Sequence, residues 1–139
     1  MIDRRLKALI LVYLWGALIE DVTIFLLSWV APELWFRLFH HSLPTGLEVA
    51  LLRRSGGQWL AFALGQALTL WQWKKRPEWL AVAAGIRLSD LFTDISYLIA
   101  APALTRFGQV LFPIFPVLNL VGVIILLKGY RQIIKPDHR

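Results

Sequence analysis

The sequence predicts an all-α integral membrane protein, a four-helix bundle with both termini in the cytoplasm and a short interfacial helix in the first outer connection. Three observations carry that expectation. Hydrophobic residues make up 58% of the 139-residue chain and the mean hydropathy is +0.60, whereas soluble domains use roughly 45–50% apolar residues. Four apolar runs approach the ~20 residues that a spanning helix needs. The basic residues gather at the ends of these runs, mostly on one side. A chain this short leaves no room for a soluble domain beside the bundle, so 1–139 reads as one domain.

The spans are expected at about 6–30, 47–73, 79–101 and 110–130. The first follows Arg4, Arg5 and Lys7, as a signal peptide would. It is longer than a signal h-region, carries Glu20 and Asp21, and has Trp29 rather than a small residue two before Ala31. It therefore reads as a retained anchor. In the long connection after it, "PELWFRLFHH" starts with Pro32, a favoured first helical residue. Trp35, Leu38 and Phe39 fall on one side, with Arg37 and His41 elsewhere, which predicts a short helix on the outer interface. Thr45 and Glu48 have capping-box spacing.

Gln58 to Trp73 is 16 residues, about 24 Å of helix against a hydrocarbon core of ~30 Å. The second span is therefore expected to start near Leu47 and run through Gly56 and Gly57, a close-packing or kink point. In the fourth run, Pro113 and Pro116 release the carbonyls of Gln109 and Phe112. They either kink the span around a cavity or mark its start. Gln66, Gln72 and Asn119 read as interhelical hydrogen-bonders.

Orientation follows from the cations. Arg4, Arg5, Lys7, Lys74, Lys75, Arg76, Lys128, Arg131, Lys135 and Arg139 lie on one side; Arg37, Arg53, Arg54 and Arg106 lie on the other. Ten against four places the termini in the cytoplasm. Trp71, Trp73 and Trp79 beside the inner turn, and Trp29 and Trp35 at the outer edge, read as interfacial anchors rather than a ligand cage.

Several functions are set aside. The chain has no cysteine, which removes disulfides and thiolate chemistry. Its net charge of +6 sits at span ends, with no soluble basic face for nucleic acid. His40 and His41 diverge on a helix and lack a third ligand, so they read as solvated rather than metal-binding. His138 in the tail offers no better site.

The candidate site starts from "GIRLSDLFTDISY". Arg87, Asp90, Asp94 and Tyr97 form one helical stripe. A charge at the bilayer centre costs on the order of 2.5–3.5 kcal/mol, so the stripe should face the bundle interior. Ala81 and Gly85 offer a small-xxx-small approach on the same helix. By helical rise, Glu20 and Asp21 lie about 21 Å from the cytoplasmic end, Asp90 about 18 Å and Asp94 about 24 Å. Arg53 and Arg54 should reach this layer from above and Arg87 from below, with Asn119 of the fourth span about a turn beyond Pro116. Arg87 is expected to pair with Asp90 or with Glu20 or Asp21. Three readings of the cluster stay open: a polar lock between helices, a pocket for a headgroup, quinone or other polar ligand, and an acid–base or proton-relay centre.

The first span, the long connection, "RRSGGQWLAFALGQAL" and "GIRLSD" together resemble the DoxX-like superfamily of small bacterial four-helix membrane proteins, over most of the chain. Arg54, Gly56, Gly57 and Arg87 match its recurring positions; Glu20, Asp21, Asp90 and Asp94 stand outside them. Some members are linked to quinone-dependent oxidation. The buried acids among aromatics are also similar in kind to sterol-isomerase-like membrane proteins. The expected function is a non-catalytic accessory or ligand-binding membrane protein. The alternative is a membrane-embedded enzyme acting on a lipid, sterol or quinone by carboxylate acid–base chemistry. Expected partners are the lipid bilayer, a membrane protein or second copy, and a small apolar–polar ligand. No fixed cofactor is expected, with quinone and lipid the candidate ligands.

Overall fold

A computed structural model describes residues 2–101 and 103–135; His138 and Arg139 lie outside them. The described residues are all-helical in their regular structure. Helix α1 spans Arg4–Val30, α2 Pro32–Phe39, α3 Gly46–Gln72, α4 Glu78–Ala100, α5 Arg106–Leu111 and α6 Ile114–Ile134.

Local chemistry explains most of the boundaries. α1 stops at Ala31, which leaves helical geometry at φ −134°, the departure that a following proline favours. Pro32 then opens α2. Thr45 and Glu48 form the full capping box at the start of α3, each side chain bonding the other's backbone N–H. α3 runs unbroken through Gly56 and Gly57. A methyl at Gly56 would overlap Ser28 and Trp29 of α1, whereas Gly57 faces open space. Gly56 is therefore a close-packing point, and the helix is not interrupted at either glycine. The two prolines of the last run mark a start: α5 ends before Phe112, and Pro113 immediately precedes α6. The last long helix begins at Ile114, later than the expected Val110.

The four long helices alternate in direction. α1 packs chiefly on α3 and α4 on α6, while α3–α4 and α1–α6 complete the set. α1 and α4 are diagonal and have no close backbone approach among the described residues. Close approach uses glycines of α6: Gly122 lies against the Tyr13 ring and Gly129 against Ile10 and Leu80. The expected Ala81–Gly85 approach is not used; Gly85 faces open space, and Ala83 and Ala84 are the buried small residues of α4. These lie one or two positions round the helix, on the face that carries Arg87.

The described residues form two apolar cores. One, at the end where α1 starts and α6 finishes, contains Ile10, Leu14, Trp73, Leu80 and Leu126. The other packs Trp35, Phe36 and Phe39 of α2 on Leu52 and Phe112. The expected tryptophan belt is corrected here: Trp29 and Trp71 are exposed, but Trp35 and Trp73 are buried. Likewise α2 turns Trp35, Phe36 and Phe39 inward and leaves Leu38 exposed. Its end is tied down, because Thr105 donates from N to the Phe39 carbonyl at 3.0 Å and from Oγ1 to the Leu38 carbonyl at 2.5 Å.

α1 and the Arg106–Ile134 run are long and apolar enough to cross a membrane, with mean hydropathies of 2.0 and 2.7. The outer faces of all four long helices carry exposed apolar side chains, among them Val12, Ile19, Leu64, Phe92, Ile99, Val117 and Ile124. Polar side chains take the interior: Asp21, Gln66, Thr69, Arg87, Asp90 and Asn119 are all buried.

Candidate functional site

Between the two cores lies a polar layer built by four helices. Asp21 of α1 accepts through Oδ2 from Gln66 of α3 and from Arg87 Nη2 of α4 at 2.8 Å. Arg87 Nη1 lies 3.5 Å from Asp90 Oδ2, one turn along its own helix. Asn119 of α6 donates through Nδ2 to Asp90 at 3.1 Å and to Asp94 at 2.8 Å. The Arg87 guanidinium also sits 5.4 Å from the centre of the Phe62 ring, within cation–π range. The Arg87–Asp21 pair crosses the diagonal that the backbones leave open. Only a long side chain can do this, and arginine keeps its charge in the attempt.

Glu20 and Asp21 are neighbours in sequence but lie ~100° apart on a helix. Asp21 therefore faces Arg87 while Glu20 faces a cleft of about 350 Å³. Asp90 and Asp94 also line that cleft, with Thr93 and Tyr97. Its walls include Trp35, Phe36, Trp59, Phe112 and Phe115. Leu51 and Gln58, both exposed, lie on its rim and open it to the surface. The expected acids, Arg87, Tyr97 and Asn119 are thus brought together. Asp21 and Arg87 form a closed brace, and Glu20, Asp90 and Asp94 face open volume.

Two expectations fail. Arg53 and Arg54 do not reach the layer. Both are exposed, because the α3 face that meets α1 runs through Leu52, Gly56 and Ala63 and turns its neighbours outward. His40 is not solvated. It is 6% exposed, lines the cleft, and its Nε2 lies 2.5 Å from the Tyr97 hydroxyl. Burial holds its imidazole below the ordinary value of 6.5, with Glu48 acting in the opposite direction. Sequence reasoning had no handle on this pair, since 57 residues separate His40 from Tyr97. Gln66 was legible only as a generic interhelical donor; its bond to Asp21 is a tertiary fact. Among the described residues there is no His, Asp and Glu grouping able to hold a metal ion.

Fold and site together define an all-helical protein with apolar outer faces and an acid-lined, aromatic-walled cleft. Comparison with protein-family models, with curated proteins and with solved structures found no match to the chain. The DoxX-like and sterol-isomerase-like resemblances rest on the sequence alone.

Proposed function

We propose that the chain crosses a bacterial inner membrane as a four-helix bundle with cytoplasmic termini. Within it, the cleft binds a small amphipathic ligand without transforming it. Support for the membrane comes from inverted polarity: apolar side chains on the outside of all four long helices, charged and amide side chains within. A soluble protein rarely exposes so much contiguous apolar surface, and lipid-facing charges are costly. The observation that carries ligand binding is the cleft, in which four carboxylates, Glu20, Glu48, Asp90 and Asp94, meet an aromatic wall at an opening to the surface. A purely structural lock would need the Asp21–Arg87 brace and nothing more.

The competing reading is acid–base catalysis on a lipid, sterol or quinone. The His40–Tyr97 pair facing the same cleft as Asp94 favours it. Native mass spectrometry of gently extracted protein tests both. A retained small molecule, lost on Trp59→Ala, is expected. Spectra with no retained ligand would refute the binding reading. Conversion of the recovered molecule on reincubation with protein would establish the enzyme.

A further inference from the structure

We propose that the cleft takes an organic cation, a protonated amine or quaternary ammonium on a compact apolar body. The proposal rests on the ligand-binding reading above. Charge balance is the first argument. Among the described residues only Asp21 and Asp90 lie within ion-pair reach of a cation, and they share the same one, Arg87. Glu20 and Asp94 have no ion-pair partner there, and both line the cleft. Asp94 is held only by the Asn119 amide at 2.8 Å. Arg53 and Arg54 are exposed and make no ion pair among the described residues. Carboxylates beside apolar walls require a counter-charge or a proton, and a cationic ligand supplies the charge in place.

The walls fit the same ligand. Trp35, Trp59 and Phe112 line the volume above the acids, and π faces attract a cation within ~6 Å of the ring centre. An anion would meet Glu20 and Asp94, and a neutral ligand would leave them uncompensated. The third observation is independent of charge. His40 lines the cleft at 6% exposure, yet its Nδ1 has no hydrogen-bond partner among the described residues. In the tautomer in which Nε2–H donates to the Tyr97 oxygen, Nδ1 is an open acceptor for the N–H of a protonated amine.

The test uses the full chain in neutral detergent and a pair of probes alike in shape, adamantan-1-amine and adamantan-1-ol. Calorimetric titration is expected to give roughly tenfold tighter binding of the amine. That preference should collapse toward parity in Asp94→Asn and in Glu20→Gln. Glu20→Gln removes no hydrogen bond of the described structure, so it keeps the test alive if Asp94→Asn unfolds. Equal binding of both probes overturns the cation assignment and leaves a binding cleft standing. Binding of neither overturns the cation assignment too, and ligand retention in mass spectrometry then decides the cleft separately. A preference for the amine that survives both substitutions overturns the role given to these acids.

Discussion

Arg87 is buried to 1% exposure with carboxylates on two sides. Removing it strands Asp21, whose remaining partner is the Gln66 amide. Breaking a buried pair from one side typically costs ~3–5 kcal/mol, while replacing both partners by apolar residues can be close to neutral. Arg87→Ala is therefore expected to lower the thermal midpoint sharply, and Arg87→Met with Asp21→Leu to recover much of the loss. An Arg87→Ala protein as stable as the parent would refute the brace. His40 makes a separate prediction. Its folded pKa lies below 6.5 because burial disfavours the imidazolium, against Glu48, with the Tyr97 hydroxyl its direct contact. As pH falls through that range the unfolded chain binds a proton that the folded chain resists, so stability is lost toward acid. Between about pH 7.5 and about pH 5.5 the parent should lose more thermal stability than His40→Gln. Equal slopes would mean that the imidazole protonates freely.

At the scale of the element, neighbouring glycines of similar sequence context have opposite roles. Gly56 sits against Ser28 and Trp29, while Gly57 and Gly85 face open space on helices. Adding a methyl at an open helical site removes backbone freedom from the unfolded chain and stabilises by roughly 0.4–1 kcal/mol. At Gly56 the same methyl forces α1 and α3 apart, and overpacking costs on the order of 1–3 kcal/mol. Thermal unfolding should rank Gly85→Ala and Gly57→Ala at or above the parent and Gly56→Ala below it. The reverse order at 56 and 57 would mean that α1 crosses α3 elsewhere. Gly122 follows the logic of Gly56, because the Tyr13 ring occupies the space its side chain would need.

The antiparallel order of α1, α3, α4 and α6 puts Lys75, in the α3–α4 turn, and His41, after α2, at opposite ends of the helices. The chain contains no cysteine, so a single one placed beside each position reports its own exposure. In intact cells an impermeant maleimide should label the site beside His41 and miss the site beside Lys75 until the membrane is opened. Labelling of both from outside would overturn the proposed orientation.

The sequence by itself determined the four long helices to within a few residues and the stripe that carries Arg87, Asp90, Asp94 and Tyr97. It also marked the capping box at Thr45 and the passage of α3 through Gly56. These follow from periodicity, length and local hydrogen-bonding chemistry, all readable within one helix. Tertiary structure decided which helices meet. Ala83 and Ala84 replaced Ala81 and Gly85 at the packed face, Trp35 and Trp73 went inward, and Arg53 and Arg54 turned away from the acids. It alone placed His40 on Tyr97 and opened the cleft between the acids and the aromatic wall. The reason is geometric. Depth along a helix can be counted from sequence, but a rotation of one residue about its axis, ~100°, exchanges the side chains that face a neighbour for those that face out. That rotation is set by the fit of side chains from other helices.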